Sequence, residues 1–450
     1  MKKVLTFVAL ATVTFTSFAQ SLSYNDLGVL FSKDDNYGTA RFEAMSGAFG
    51  ALGGDVSATG INPAGGAVAI NNKFSITLNN RNTDYSSSYY GNNTAFQDDY
   101  FNISQAGGIL SFDTAYNSDW NRFAFTFNYR MKKDFDGYYS VQGNSGALFY
   151  PEHFSDNSAT PTQFDRSIDQ YAESSTSGQT SVFNVGFSAV HQNKLFVGAS
   201  LNFHDLRYHQ TAYLNEINDD VDGNILDIAE VEDIIYDGSG FSLSFGFIYK
   251  FDQNLRLGLA YETPTWYQEI VEDYANRLTM DGVSNLDLET YDDTFIADLY
   301  VYKFKSPSRL TASGAYIFGK DGLISVDYTY KDYKNIKYRD PGFEQENSNF
   351  TNNYRGTHAL NIGAEWRFDK MRVRAGYHYE KDPNLLAGGN TNKDNVRGFS
   401  AGLGYNFGNV KFDLGYTNSE NKEFYSLYNN GDVVLDNNTS RISGTLTFNL

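Results

Sequence analysis

The stretch FSLSFGFIYKFDQNLRLGLAYE, Phe241 to Glu262, decides the fold, because it holds two alternating segments joined by a short link. In the first segment every second residue from Phe241 to Phe251 is large and apolar. In the second segment the same period of two continues through Leu255, Leu257, Leu259 and Tyr261. Strict alternation of this kind predicts β-strands with one apolar face.

The same alternation recurs along most of the chain. The faces opposite the apolar residues carry polar and charged side chains such as Arg256, Glu262, Glu365, Arg367 and Asp327. A soluble β-sandwich also produces polar-out alternation, so the pattern by itself leaves both architectures open. We predict fourteen strands, at 73–90, 100–114, 120–131, 180–192, 194–211, 239–251, 254–270, 296–318, 322–336, 354–368, 370–382, 395–407, 410–428 and 438–450.

The lengths of the connections favour a membrane barrel. The links after even-numbered strands are tight, whereas several links after odd-numbered strands are predicted to be long loops, at 132–179, 212–238, 271–296 and 337–353. Short turns at one end and long loops at the other are typical of outer-membrane barrels, whose short turns face the periplasm. We therefore expect an all-β fold, a transmembrane antiparallel β-barrel of about 14 strands.

Composition agrees with a barrel and excludes other classes. The 450 residues include 36 Phe and 34 Tyr but only 7 Pro. The chain has no Cys, which excludes disulfides and thiolate metal sites. A net charge of -19 argues against a nucleic-acid partner, since contact with phosphates needs a basic face.

The N-terminus predicts export. Lys2 and Lys3 precede an apolar run that is too short for a spanning helix of about 20 residues, and Ser17 and Ala19 suit a signal peptidase. We expect a signal peptide at 1–19, although a retained N-terminal anchor is the alternative. No later segment is long enough for a spanning helix, so a mature membrane protein would cross as strands and lie in the outer membrane of a Gram-negative bacterium.

Residues 20–72 lack sustained alternation and are rich in Gly and Ala, as in GGDVSATGINPAGGAVA at 53–69. Irregular backbone cannot face lipid, but inside a lumen its polar groups find partners. We predict an N-terminal hatch at 20–72 that plugs a barrel formed by 73–450. Asn62, Pro63, Ala64 and Gly65 are expected to form its turn, because Asn bonds backbone groups and Pro fixes the backbone.

Two motifs resemble the FadL-type long-chain fatty acid transporters of Gram-negative outer membranes. The first is ARFEAMSGAFGALGGDVSATGINPAGGAVA, Ala40 to Ala69, with its NPAG element. The second is FKSPSRLTASGAYIFGKDGLISVDYTYKDY, Phe304 to Tyr333. The resemblance implies a fourteen-stranded barrel with a hatch, a hydrophobic small-molecule ligand that binds in lumen pockets, and release sideways into outer-membrane lipid.

The chain departs from this family in two places. The family's lateral gap comes from a kink in the third strand, but Trp120 to Met131 contains neither Gly nor Pro. The resemblance therefore does not place a gap here. The last residue is Leu450 instead of the aromatic residue usual in such barrels.

Basic residues on the polar faces are candidates for ligand binding. Arg256, Arg372 and Arg374, with Arg367, could bind a carboxylate head group. The alternative is that they pair with acidic residues to neutralise the lumen, which is ordinary for charges in such an interior.

Two further features each have a purely structural and a functional interpretation. Asn218, Asp220 and Asp222 alternate ahead of Gly223 as in a calcium loop, but Ala229 occupies the closing acidic position, and a solvated acidic loop is the alternative. Pro307 cannot donate to a β-ladder, so it predicts a kink in the wall, either an ordinary irregularity or a functional opening.

Two functions remain open at this stage. One is outer-membrane uptake of hydrophobic compounds, such as long-chain fatty acids or hydrocarbons, by passive diffusion through the plugged barrel. The other is a non-transport docking or scaffold role in a secretion or surface-anchoring apparatus, since a fold does not fix function. No spacing of Ser, His and carboxylate residues indicates a hydrolase, so we expect a monomer with no enzymatic activity and no cofactor.

Overall fold

The structure is a computed structural model that describes residues 22–114, 118–153, 162–282, 291–385, 395–428 and 431–450. The predicted signal peptide lies outside these residues. The helices are short: α1 (Tyr24–Leu30), α2 (Ala40–Glu43), α3 (Glu344–Asn353) and three 3-10 turns at Ser57–Gly60, Pro63–Val68 and Tyr333–Asn335. No helix in the described residues is both long and apolar enough to span a membrane.

The rest of the described chain is dominated by β-strands. Their bounds are β1 (Lys73–Tyr89), β2 (Asn92–Asp113), β3 (Trp120–Asp134), β4 (Gly137–Gly143), β5 (Glu152–His153), β6 (Thr162–Gln163), β7 (Arg166–His191), β8 (Leu195–Asp219), β9 (Ile225–Lys250), β10 (Leu255–Glu262), β11 (Trp266–Gly282), β12 (Tyr291–Ile296), β13 (Tyr300–Lys305), β14 (Arg309–Phe318), β15 (Gly322–Asp332), β16 (Lys337–Tyr338), β17 (Gly356–Phe368), β18 (Met371–Glu380), β19 (Val396–Asn406), β20 (Val410–Tyr428) and β21 (Gly431–Asn449).

β5 and β6 pair with each other in a separate two-stranded sheet, and the other strands form a closed antiparallel barrel. Each barrel strand pairs with its neighbours in the chain, and β21 pairs with β1 from Lys73 and Asn449 onwards, which closes the circle. Four barrel strands consist of more than one segment: β3 with β4, β10 with β11, β12 with β13 and β14, and β15 with β16. The barrel therefore has fourteen strands, which confirms the predicted fold class.

The two faces of the wall differ as the alternation predicts. The outward-facing Phe125 and Phe245 side chains are 52% and 50% exposed, whereas the inward-facing Thr126 and Ser244 are 3% and 5% exposed. Tight turns join the strands at one end, which we call the turn end, and Gln192 and Asn193 there adopt positive φ angles of 50° and 53°. The opposite end is the loop end.

Three of the four predicted long loops are partly wrong. At the loop end β7 begins at Arg166, β8 ends at Asp219 and β9 begins at Ile225. Strand β11 continues to Gly282. The predicted loops at 132–179, 212–238 and 271–296 therefore contain long strands. The physical reason is that strands beyond an apolar band need no apolar outward face, so the search for alternating apolar residues ended them too early.

Two predicted strands are interrupted. The predicted strand at 254–270 is divided by Thr263–Thr265 around Pro264, and the strand at 296–318 is divided by 306–308 around Pro307. The two interruptions lie side by side, because Thr265 N donates to Ser306 Oγ (2.9 Å) and Ser306 N donates to the Thr265 carbonyl (3.1 Å). The wall is thus hydrogen-bonded across this seam.

Candidate functional site

The N-terminal segment, residues 22–72, contacts inward-facing residues around the barrel. Near the loop end, the Tyr24 hydroxyl donates to Glu272 Oε2 at 2.8 Å, and the Tyr338 hydroxyl donates to the Tyr24 carbonyl at 2.6 Å. Leu27, Val29 and Phe31, in and directly after α1, are buried with aromatic residues of the wall and of α3. These aromatic residues include Tyr208, Tyr236, Tyr302 and Phe350. The segment therefore begins in an aromatic cluster.

After α1 the segment is fixed by ion pairs. Asp34 accepts two hydrogen bonds from the Arg130 guanidinium, at 3.0 and 2.8 Å, and lies 3.6 Å from Arg309. Burial alone would raise the pKa of Asp34, but the Arg130 and Arg309 guanidiniums hold that pKa below its usual range. Arg309 also pairs with Glu262, on the neighbouring strand, at 2.6 Å. One carboxylate of the segment thus joins two separate parts of the wall.

The middle of the segment is attached at α2. Thr39 caps this helix by accepting a hydrogen bond from Phe42 N at 3.2 Å. Arg41 pairs with Glu365 at 2.8 Å, and Asp327 Oδ2 accepts hydrogen bonds from the backbone N–H groups of Phe49 (3.0 Å) and Gly50 (2.8 Å). These contacts join the segment to a further part of the wall.

The NPAG element forms a 3-10 turn near the turn end. Asn62 Oδ1 accepts from Ala64 N at 3.1 Å, while its Nδ2 donates to the carbonyls of Gly50 (2.8 Å) and Phe247 (3.0 Å). Pro63 occupies the first position of the turn, where a missing N–H costs nothing, and Gly65 is buried within it. Asn62 is 1% exposed, so its three hydrogen bonds are shielded from water.

Glycines of the wall, which we did not predict from the sequence, allow the segment to approach. A Cβ at Gly198 would lie 2.5 Å from Ala64 N, and a Cβ at Gly246 would lie 2.2 Å from Asn62 Oδ1. Similar close contacts with the segment occur at Gly258, Gly363, Gly376, Gly402 and Gly415. The signal was present in the sequence as glycines at inward-facing positions of several predicted strands.

The candidate basic residues have different surroundings. Arg374 is buried and pairs with Glu365 at 2.8 Å and with Asp413 at 2.7 Å, which is the neutralising alternative. Arg256 Nη1 donates to the Leu52 carbonyl at 3.0 Å. Within the described residues, neither Arg256 nor Arg372 makes an ion pair, and none of the three lines the cavity described below.

The residues of the suggested calcium loop do not converge. The Asn218 side chain is buried and donates to the Tyr150 carbonyl at 3.0 Å and to Glu216 at 2.8 Å. Asp220 closes the β8–β9 turn by accepting from the backbone N–H groups of Asp222 and Asn224, at 2.9 and 2.8 Å. The described residues contain no group of three or more acidic or His side chains that could hold a metal ion.

A cavity of about 240 Å³ lies between the N-terminal segment and the wall. Its lining includes the aromatic side chains Tyr37, Tyr85, Phe135 and Tyr139. It also includes charged groups such as Lys33, Asp35, Lys133 and Arg441. The cavity is therefore partly apolar and partly ionic.

The same cavity reaches a break in the wall. The β2–β3 ladder runs from Asp113 only to Gln105, which pairs with Arg130, although β2 itself begins at Asn92. Beyond Arg130 the register of β3 shifts between Met131 and Lys133, and β4 pairs with β7 instead of β2. Among the described residues, 92–104 of β2 therefore have a ladder partner on one edge only.

No gap was predicted here, because the stretch from Trp120 to Met131 contains neither Gly nor Pro. A bulge at Lys132 turns the strand without either residue. Residues 133–139, just past the bulge, line the cavity. The break in the ladder thus adjoins the cavity.

Several solved structures share the fold of this chain over more than nine-tenths of its length. A Pseudomonas aeruginosa FadL homologue matches with a TM-score of 0.59 and 13% identity, over 93% of this chain and 99% of that chain. The Pseudomonas putida toluene transporter TodX matches with a TM-score of 0.54 and 16% identity, over 93% and 99%. The Ralstonia pickettii toluene transporter TbuX matches with a TM-score of 0.52 and 17% identity, over 92% and 99%.

No protein-family model matches the sequence, and neither does any curated protein. At identities this low, structural likeness carries the fold and not the ligand. The resemblance seen in the two sequence motifs is confirmed at that level. The chain has the fold of the FadL-type transporters, a closed antiparallel barrel of fourteen strands.

Proposed function

We propose that the protein takes up hydrophobic compounds, such as long-chain fatty acids or hydrocarbons, across the outer membrane of a Gram-negative bacterium. Transport is by passive diffusion, with the turn end in the periplasm and the apolar outward face in lipid. The observation that carries the proposal is the cavity that adjoins the break between β2 and β3. The matched toluene transporters support this ligand class.

Burial of apolar surface supplies the driving force for entry. Each methylene that leaves water contributes about 0.8 kcal/mol, and Tyr85, Phe135 and Tyr139 give the chain of the ligand an aromatic surface. Membrane lipid also buries the apolar surface of the ligand. A ligand that passes the free edge of β2 therefore loses little of this favourable free energy when it leaves the cavity. The break provides a sideways route that does not require the N-terminal segment to unfold.

The charged part of the lining favours an amphipathic ligand over a pure hydrocarbon. Lys133 is paired with Asp35 at 2.9 Å, and Lys33 lies 4.0 Å from Glu423. Both ion pairs are accessible to water, so a polar head group can exchange with one partner at small cost. A fatty acid has both the head group and the chain for this lining.

A reversible lock of the break tests the route. The rings of Phe96 on β2 and Tyr138 on β4 lie 4.5 Å apart, and the chain has no Cys of its own. Phe96→Cys/Tyr138→Cys can therefore be bridged by a short bis-maleimide that contains a reducible disulfide, which holds β4 against β2 without direct contact of the two thiols. Uptake of a labelled fatty acid should fall in the cross-linked protein and return on reduction, while Phe96→Cys alone behaves as wild type. Full uptake through the cross-linked double variant would contradict the sideways route.

We also propose that residues 20–72 act as the hatch of this barrel. Its contacts with strands on different sides of the wall support this role, since they hold the segment across the lumen. Deletion of 22–72 should raise ion conductance in planar bilayers. Conductance equal to that of the intact chain would show that the segment does not close the barrel.

The docking hypothesis has one observation in its favour. The β8–β9 hairpin extends far beyond the apolar band, since β8 ends only at Asp219 and β9 begins at Ile225. It exposes a polar outward face there. Shortening this hairpin should leave uptake intact if the protein only transports. Loss of a co-purifying protein with unchanged uptake would instead favour a docking role.

A further inference from the structure

Seven basic side chains occupy the inward-facing positions next to the tight turns at the turn end. They come from seven different strands and are all half-buried: Lys73, Arg122, Lys250, Arg256, Arg367, Arg372 and Lys411. We call this set the basic arc. It stands out in a chain with 54 acidic and 35 basic residues.

The arc is continuous around most of the barrel mouth. Each charge is close enough to its neighbour for Coulombic repulsion, in the order Lys73, Lys411, Arg372, Arg367, Arg256, Lys250 and Arg122. This order follows the order of the strands around the wall. Like charges that repel one another are stabilised by any anion placed between them.

Carboxylates neutralise only two members of the arc within the described residues, Arg122 with Asp113 at 2.9 Å and Arg367 with Glu365 at 3.0 Å. Within the described residues, five of its members make no ion pair: Lys73, Lys250, Arg256, Arg372 and Lys411. The nearby Glu365 and Asp413 are already bonded to Arg41 and Arg374. By contrast, inward-facing arginines higher in the lumen, such as Arg130 and Arg309, are paired.

Backbone carbonyls of the N-terminal segment accept hydrogen bonds from part of the arc. Lys73 Nζ donates to the Gly54 carbonyl at 2.9 Å, and Arg256 Nη1 donates to the Leu52 carbonyl at 3.0 Å. Arg122 Nη1 lies 3.3 Å from the Ala67 carbonyl. A neutral carbonyl fixes such a side chain in place but leaves its positive charge uncompensated.

We infer that the basic arc is a binding site for a small anionic group, a carboxylate or a phosphate, at the periplasmic mouth of the barrel. The arc lies on inward-facing positions between the turns and the N-terminal segment. A flat protein surface would meet the turns first, whereas a compact anion or the ionised head group of an amphiphile fits between them. The site is separate from the lumen cavity and does not depend on the transport proposal.

Binding to the full mature chain in phosphatidylcholine nanodiscs tests the inference. Isothermal titration with inorganic phosphate and with sodium decanoate, against empty nanodiscs, separates a free anion from an amphiphile head group. Both affinities should weaken between about 20 and about 300 mM sodium chloride, because salt screens charge. Binding of phosphate assigns the site to free anions, and binding of decanoate alone assigns it to head groups.

Matched variants connect the binding to the arc. Arg372→Gln/Lys411→Gln should weaken binding about tenfold, since two charges next to the anion are lost. Lys194→Gln/Lys320→Gln removes the same number of positive charges from exposed turns at the same end and should change the affinity for the anion little. Lys250→Gln/Arg256→Gln repeats the test on another part of the arc, should the first pair not fold. No binding of either probe to the wild type, or equal weakening in the turn variant, would overturn the inference.

Discussion

Asn62 of the N-terminal segment donates from Nδ2 to the carbonyl of Phe247 in the barrel wall, at 3.0 Å, beside a wall position where only Gly246 leaves room. One side chain thus shapes the NPAG turn and joins it to β9. This contact links a short sequence motif to the closure of a barrel.

Asn62→Ala removes one acceptor and two donors of buried hydrogen bonds. Each net hydrogen bond is worth about 0.5–1.5 kcal/mol, and the Ala64 N–H is left without its acceptor. We expect a folded, heat-modifiable barrel with a looser segment, higher ion conductance and impaired fatty acid uptake. Asn80→Ala, on the exposed face of β1, is the control. Unaltered conductance and uptake in Asn62→Ala would contradict the role of this turn.

Gly246→Ala tests the close approach of the segment to the wall. The added methyl group would lie 2.2 Å from Asn62 Oδ1, so the turn must move, at a cost of about 1–3 kcal/mol. Gly314→Ala is the control, since the nearest atom to its Cβ is 3.7 Å away. Hydrogen exchange of residues 57–69 should rise in Gly246→Ala only. Equal exchange in both variants would mean that the segment does not need this glycine.

Asp34→Asn tests the ion pair between segment and wall. The substitution leaves the Arg130 guanidinium, which is 8% exposed, without a carboxylate, and breaking a buried pair costs about 3–5 kcal/mol. The control Asp237→Asn breaks an ion pair whose side chains are 59% and 75% exposed and should cost less than about 1 kcal/mol. The measurement is the free energy of unfolding in denaturant.

The same pair predicts the pH dependence. Because the pKa of Asp34 lies below its usual range in the folded protein, its stabilisation is fully present above the unfolded pKa of about 3.9. It is lost only as the pH falls below that value, towards the folded pKa. The difference in stability between wild type and Asp34→Asn should be constant from about pH 8 to about pH 5 and narrow below about pH 4. A difference that narrows near neutral pH would contradict this assignment.

The outward face of β9 gives a depth-dependent prediction. Phe245→Arg places a charge within the apolar band and should cost about 2–4 kcal/mol if it is near the bilayer centre. Ile235→Arg, on the same face but nearer the loop end, should cost about 0–1 kcal/mol. Unfolding in lipid vesicles measures both. Equal losses of unfolding free energy in the two variants would mean that the apolar band is not centred near Phe245 on β9.

The sequence predicted the strands best where lipid contact dictates one face. Around Phe245 and Phe125 every outward residue is large and apolar, so the period of two is plain. Near Asp219 and Asp237 the outward face is polar, and the pattern no longer separates a strand from a loop. The alternation does not predict the break at Pro264, because it continues on both sides of this single proline.

The site was harder to predict, because its contacts join residues far apart in the chain. Asp34 and Arg130 are 96 positions apart, and Asn62 and Phe247 are 185 apart. The alternation of apolar residues along the chain does not indicate contacts between residues so far apart. The NPAG turn was predictable because Asn62 and Pro63 act on their own backbone, whereas the bulge at Lys132 has no Gly or Pro to mark it.

Uptake by the intact chain tests the central proposal most directly. The protein is inserted in the outer membrane of a strain that lacks its own fatty acid transporter, and entry of a labelled long-chain fatty acid, toluene and a small sugar is measured. We predict that the fatty acid and toluene enter faster than in the strain without the protein, with the fatty acid favoured, while sugar entry is unchanged. If the inserted, heat-modifiable barrel admits neither apolar compound, or admits the sugar, the proposed function is contradicted.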